Sequence, residues 1–344
     1  MAFGALTDLL YKRWYDKRIL NLFLCIILIL FIGLRFECDR DFTTYVSHWG
    51  NLPYFSAGNF AYLYEKFRAV DLEFGYKFVA VILKNLGFTP QAMFVFCAAV
   101  TFTIFYKVIP YYTNYPNIAL FIYFSQFIML PFMQIRFGVC SMLIWYSFYM
   151  WSHNKKRTSI LYYILAITFH NLSFGVLILL PLLKLSIKKM LILLGLVLFI
   201  PLHVVSDIAL GAVYLMGWNY TGYFDSDQSL SYLSYILNFI LVLPIVIYYL
   251  NNSNMITIVN RRLIKYYILF LIGFSLSLNL PIIARIAITF SISICFLLPS
   301  YFSVVPKDAR FRFLILIGIV IYGGLKFIPA LKFFEPYKFN LELI

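Results

Sequence analysis

The chain has 344 residues, of which 63% are hydrophobic and only 12% charged. A water-soluble fold needs far more polar surface, so composition alone assigns the protein to a membrane. The net charge of +14 does not point to nucleic acid, because the basic residues stand in short runs between apolar segments. There they set topology and meet anionic lipid head groups. The aromatic share of 20% suits two interfacial belts, in which Tyr and Trp place a ring in lipid and a polar atom in water.

In chain order, the first apolar run, 19–36, follows Lys12, Arg13, Lys17 and Arg18 and lacks a small-residue cleavage site, so it reads as a retained helix. Further runs long enough to cross about 30 Å of hydrocarbon cover 90–109, 117–131, 137–152, 190–205, 231–250, 265–281, 285–304 and 311–327. The basic connections are Lys155-Lys156-Arg157, Lys184 with Lys188-Lys189, Arg261-Arg262 with Lys265, and Lys307 with Arg310 and Arg312; all are expected in the cytoplasm. The acidic connections 37–73 and 206–230 are expected outside. These assignments hold together only if 159–183 is a helical hairpin with its apex near His170-Asn171, and if 73–86 stays on the outer side as an interfacial or re-entrant helix.

The expectation is therefore an all-α polytopic membrane protein with about eleven membrane segments. Residues 1–344 form a single integral membrane domain, with 1–18 cytoplasmic, 37–88 and 206–230 periplasmic, and the carboxyl terminus outside. Cys25, Cys97, Cys140 and Cys295 lie in apolar stretches, which leaves Cys38 without an obvious partner and no disulfide framework. No CxxC or Cys/His cluster offers a metal site.

On this thread the unusual polar residues gather at the outer face. Arg136 lies between two apolar runs, and Arg285 follows Pro281. A guanidinium at the centre of a spanning helix costs about 2.5–3.5 kcal/mol, so such groups are paired or solvated and mark function. Two readings stand for them: anchors snorkelling to head groups, or ligands of phosphate, whose oxygens the planar fork suits. His170 beside Asn171 and Ser173 either bridges two helices or moves protons. Asp41 and Tyr45 share one helical face, where a cap and its neighbour would also fall. Glu73 either starts a helix or serves the site.

Taken in order, these residues resemble a known family. Arg35 followed by Asp41-Phe42-Thr43-Thr44-Tyr45 resembles the R…D-x-x-x-Y opening of the EpsG/Wzy family of bacterial polysaccharide polymerases. Glu73-Phe74-Gly75-Tyr76 resembles its E-x-G-Y element, and Gln134-Ile135-Arg136-Phe137-Gly138-Val139-Cys140 its R-Q-G motif, with Phe137 where Gln is usual and Cys140 where Ala is usual. Phe169-His170-Asn171-Leu172-Ser173 resembles the H-x-S-A motif, and Arg285 falls where a late arginine is expected.

The resemblance implies a glycosyltransferase of the GT-C-like fold in the bacterial inner membrane, working at the periplasmic face without a nucleotide sugar, cofactor or metal. It implies undecaprenyl-diphosphate-linked oligosaccharides as substrates, membrane lipids and a chain-length regulator as partners, and no nucleic acid. Arg136, Arg285 and Arg35 would bind the diphosphate and stabilise its charge as it leaves. His170, Asp41 and Glu73 are the candidates for the base that takes the acceptor proton. Tyr45, Tyr76 and Gln134 would meet sugar. An O-antigen ligase shares this donor chemistry. A lipid-linked oligosaccharide flippase or other transporter is the reading from another class, although the internal symmetry usual in transporters is not visible.

Overall fold

The computed structural model describes residues 1–10, 13–55, 59–198, 232–252, 257–277, 281–304, 308–334 and 336–339. The acidic connection 206–230 lies outside these residues, as does most of the predicted end of the 190–205 run. In chain order the helices are α1 (Ala2–Leu10), α2 (Trp14–Gly33), α3 (Phe42–Asn51), α4 (Phe60–Ala69), α5 (Phe74–Asn85), α6 (Gln91–Tyr112), α7 (Pro116–Phe127), α8 (Met129–Phe132), α9 (Ile135–Ser152) and α10 (Lys156–Phe169). They continue as α11 (Ser173–Leu179), α12 (Ile187–Leu198), α13 (Tyr232–Asn251), α14 (Ile258–Leu276), α15 (Pro281–Ser291), α16 (Ile294–Leu297), α17 (Tyr301–Val304) and α18 (Ala309–Ala330). Two residues at each of two places, β1 (Arg35–Phe36) and β2 (Lys338–Phe339), pair antiparallel.

Among the described residues the regular structure is thus helical apart from that short ladder. By length and apolar composition, three helices among the described residues can cross a membrane: Gln91–Tyr112, Ile283–Ser300 and Arg310–Ala330. Other expected spans are shorter, or begin with charge, as α2 does at Asp16, Lys17 and Arg18. The expected run 117–131 is two helices, α7 and α8, and 285–304 is likewise broken into short helical pieces. The segment 37–88 holds α3 and α4 where a loop is expected, and α5 falls within the helix expected over 73–86.

The chain divides into two compact units, one comprising 1–171 with 305–344 and the other 172–304. In the first, α2 packs on α6, α6 on α9, and α9 on α10, while α1 and α18 pack on α7. Short connections enforce antiparallel neighbours: Asn154, at φ 60°, turns the chain between α9 and α10, and Gly87, at φ 88°, turns it between α5 and α6. Side chains fix the pairing at both ends. The Gln91 Nε2 donates to the Arg35 carbonyl (3.1 Å), and at the other end Arg18 donates to the Tyr106 carbonyl (2.8 Å) and lies over its ring. Asp8 of α1 is buried and accepts from the backbone amides of Asn117 and Ile118 (2.7 and 2.9 Å), satisfying the exposed start of α7.

Helix α9 begins at the residues that meet Glu73 and ends at Ser152, about 25 Å away. Lys155-Lys156-Arg157 therefore lie at the opposite end of this unit from Arg136. Helix α10 then crosses back and delivers His170 to the Arg136 end, as the first arm of the expected hairpin requires.

In the second unit α14 is the hub, packed against α12, α13 and α15. The Lys265 ammonium donates to the Leu183 carbonyl (2.7 Å), so Lys184 and Lys265 share one end of this unit. Gly273 on α14 lets α15 come close: a Cβ there would stand 2.9 Å from that of Ala287.

Candidate functional site

The site grows from the end of α2 and the starts of α3, α5 and α9. Helix α2 stops at Gly33, and Arg35 then turns inward to complete burial, its Nε 2.7 Å from the Asp39 carboxylate. Phe94 and Phe132 sandwich the guanidinium at 4.4 and 4.9 Å. Removing an arginine from water is costly unless its charge is met, and here Asp39 meets it. The Arg35 Nη1 also donates to the Ile32 carbonyl (3.0 Å), so part of the guanidinium braces the loop from inside the protein. Asp39 also accepts from the Asp41 amide (3.0 Å), which sets the start of α3.

Asp41 stands at the cap position of α3, and its carbonyl accepts from the Tyr45 amide (3.0 Å) while its side chain makes no capping bond. One turn on, Tyr45 is buried and its ring lies 5.7 Å from that of Tyr76 on α5. Burial pushes the Tyr45 hydroxyl above its usual range, against the pull of Arg136, to which it is hydrogen-bonded. Tyr45 is therefore a neutral phenol that orients the guanidinium.

Glu73 occupies the cap position of α5, but its side chain does not cap. Instead one carboxylate oxygen pairs with the Arg136 guanidinium and the other faces His170 Nδ1 at 3.7 Å. The Glu73 and His170 side chains are 7% and 9% exposed and that of Arg136 is 25%, so the arginine is the open side of the cluster. Phe137 sets its ring edge against the imidazole (5.3 Å between centroids), and Cys140 reaches the His170 carbonyl. Gln134 precedes α9, and its carbonyl accepts from the Gly138 amide (2.9 Å).

Two glycines make this convergence possible. At Gly75 a Cβ would stand 2.9 Å from the Thr168 carbonyl on α10, and at Gly138 it would stand 2.9 Å from the Leu130 carbonyl. Both are closer than side chains tolerate, so α5 reaches α10, and α9 reaches α8, only through glycine.

Of the expected residues, Tyr45, Glu73, Tyr76, Arg136 and His170 come together in the first unit, with Asp41 beside Tyr45. Arg285 lies on α15 in the second unit, half-buried. Sequence reasoning passed over Asp39 and Gln91, which hold Arg35 from its side chain and its carbonyl; the four-residue spacing of Arg35 and Asp39 was the available signal for the first.

A helical chain with segments apolar and long enough to cross a membrane has the make-up of an integral membrane protein, and this one carries a Glu–Arg–His cluster where its helices end. The chain belongs to the EpsG family, whose model matches residues 18–339, nearly the whole length. That membership associates it with polysaccharide biosynthesis at a membrane. No curated protein and no solved structure matches it.

Proposed function

We propose that the protein is a Wzy-type polysaccharide polymerase, a GT-C-like glycosyltransferase with about eleven membrane segments whose site faces the periplasm. It transfers a growing glycan from undecaprenyl diphosphate to the terminal sugar of a lipid-linked repeat unit. The acceptor hydroxyl oxygen bonds to the anomeric carbon of the donor sugar as the bond from that carbon to the diphosphate oxygen breaks. The electron pair leaves with the diphosphate, and the hydroxyl proton goes to the base.

The observation that carries this reading is Glu73 held between Arg136 and His170. A carboxylate facing Nδ1 orients the imidazole and assigns Nε2 to the incoming proton, the arrangement that general bases use. The paired Glu73 is then the orienting group, and His170 the base. Arg136, on the open side of the cluster, stabilises the charge developing on the diphosphate. Arg35 and Asp41 position the α3 start, and Tyr45, Tyr76 and Gln134 border the sugar.

The surface glycan of a deletion strain tests the function. Lipid carrying a single repeat unit is expected; loss of every unit would indicate a ligase or flippase instead. With purified protein and a lipid-linked repeat, turnover should fall as pH drops through the range where imidazoles protonate, and it should persist in excess chelator. His170→Ala should lose that pH dependence together with most turnover; an unchanged profile would move the base to Asp41 or Glu73.

A further inference from the structure

A cavity of about 600 Å³ is formed by the end of α3, the following loop, α4, Lys84 of α5 and residues 69–71. His48, Asn51, Tyr54, Tyr62, Lys66 and Asp71 supply its side chains. It adjoins the Glu73 site through the chain itself: His48 lies three residues beyond Tyr45 on α3, and Asp71 lies two residues before Glu73.

The floor is rigid. Lys84 of α5 is buried, and its ammonium donates to the carbonyls of Trp49, Gly50 and Leu52 at 2.8, 3.0 and 2.7 Å, with the Tyr54 ring 4.5 Å away. Asn85 ties the same loop from the side, donating to the Pro53 carbonyl (3.3 Å) and accepting from the Phe55 amide. Lys77 secures the far wall through the Phe67 and Val70 carbonyls, both at 3.0 Å. Two cations, Lys77 and Lys84, are thus consumed in holding irregular backbone. On this floor Tyr54 and Tyr62 remain 50% and 41% exposed. Burial and the charge of Arg136 push the His48 imidazole below its usual range, so it is a neutral hydrogen-bonding group near pH 7.

Exposed aromatic faces set among a carboxylate, an amide and a neutral imidazole match one ligand chemistry. Sugar rings offer C–H faces for aromatic contact and hydroxyls for directional hydrogen bonds. A lipid tail would have no use for the polar groups, and a bare inorganic anion would have no use for the aromatic faces. We infer that this cavity is a carbohydrate subsite, in which Tyr54 and Tyr62 stack on sugar rings and Asp71, Asn51 and His48 bond their hydroxyls. The inference rests on the polymerase reading and adds to it a place for the glycan beyond the reacting sugar. Lys66, exposed at the rim with its ammonium 5.8 Å from the Tyr62 ring, would favour glycans bearing an acidic sugar.

The test uses the full-length protein in detergent and oligosaccharides released from the producing strain's own surface polysaccharide, with binding followed calorimetrically. Tyr54→Ala and Tyr62→Ala should each weaken binding by about two- to tenfold, the size of an aromatic contact, and Asp71→Asn should weaken it as well. Tyr64→Ala, on α4 but outside the cavity, should leave binding unchanged. Thermal melts matching the wild type identify variants that remain folded, and Lys66→Glu, a surface change, gives a further readout through lost preference for acidic fragments. Wild-type affinity in the tyrosine and Asp71 variants would overturn the subsite, as would failure of the wild type to bind any fragment. The polymerase reading would be unaffected by either result, since it stands on the deletion strain's glycan. Normal polymer in that strain alongside fragment binding would sink the polymerase reading and keep the subsite.

Discussion

Glu73 has one carboxylate and two neighbours that want it. Its pairing with Arg136 answers a solvation problem, because either charge alone would be stranded in a largely dry site. Removing the arginine should therefore destabilise the protein as well as silence it, by about 3–5 kcal/mol for a fully buried pair and by less here, since the Arg136 side chain keeps 25% of its exposure. The double variant Arg136→Ala/Glu73→Gln separates the two effects. Its melting temperature should recover towards the wild type while polymerisation remains lost, because the neutral amide no longer needs a cation but the diphosphate still does. Polymer made by the double variant would leave the pair with a purely structural role. Arg136→Lys should restore stability better than activity, since lysine keeps the charge and loses the fork.

At this scale the sequence announced charge and concealed pairing. Arg136 and His170 stand out because a charged group or an imidazole inside an apolar run needs a reason. Arg35 stands out for the same reason, and the carboxylate that meets its charge, Asp39, is marked in the sequence only by its four-residue spacing. The Glu73–Arg136 contact spans 63 residues and could not be read from one sequence.

At the scale of elements, the site depends on how closely helices approach. Gly75 follows Glu73 within the first turn of α5 and presses on Thr168, two residues before His170. Any side chain there pushes the Glu73 and His170 ends apart. Gly75→Ala should cost about 1–3 kcal/mol of stability, the usual toll of overpacking, and lower turnover far more than that loss of folded protein explains. Donor affinity should change less than turnover, because Arg136 sits on a different helix. Equal losses in binding and turnover would mean that the whole cluster had moved. The length of the apolar runs makes α6, α9 and α18 readable to within a few residues, whereas it does not show the breaks at Ile128 and within 291–301, because apolar runs look the same whether or not a helix continues through them.

At the scale of the molecule, the charge pattern and the observed ends of the first unit agree: acidic 37–73 lies with Arg136, and basic 155–157 lies at the far end. If the positive-inside rule sets the orientation, single cysteines at these ends should label from opposite sides. In a background lacking the native cysteines, Asn171→Cys should react with an impermeant reagent added to the periplasm, and Asn154→Cys only after the inner face is opened. Both reacting from one side would break the thread at α10. Hydropathy could not have settled this, because α10 spans only 14 residues and its role depends on where its neighbours carry it.

The pairing of β1 with β2 has a bearing on biogenesis. Arg35 faces Phe339 across almost the whole length of the chain, and Cys38 is enclosed by the backbone of Pro336 and Lys338, with the Lys338 amide 3.0 Å from its sulfur. Tyr337 stacks on Phe31, one turn from the end of α2. The ribosome makes the residues that fasten the Arg35 loop 300 residues after it. Until that segment emerges, the loop that sets the start of α3 has no clasp. A nascent chain halted before Tyr337 would carry every residue of the Glu–Arg–His cluster and still leave Cys38 open to thiol reagents, a folding clock built into one sulfur atom.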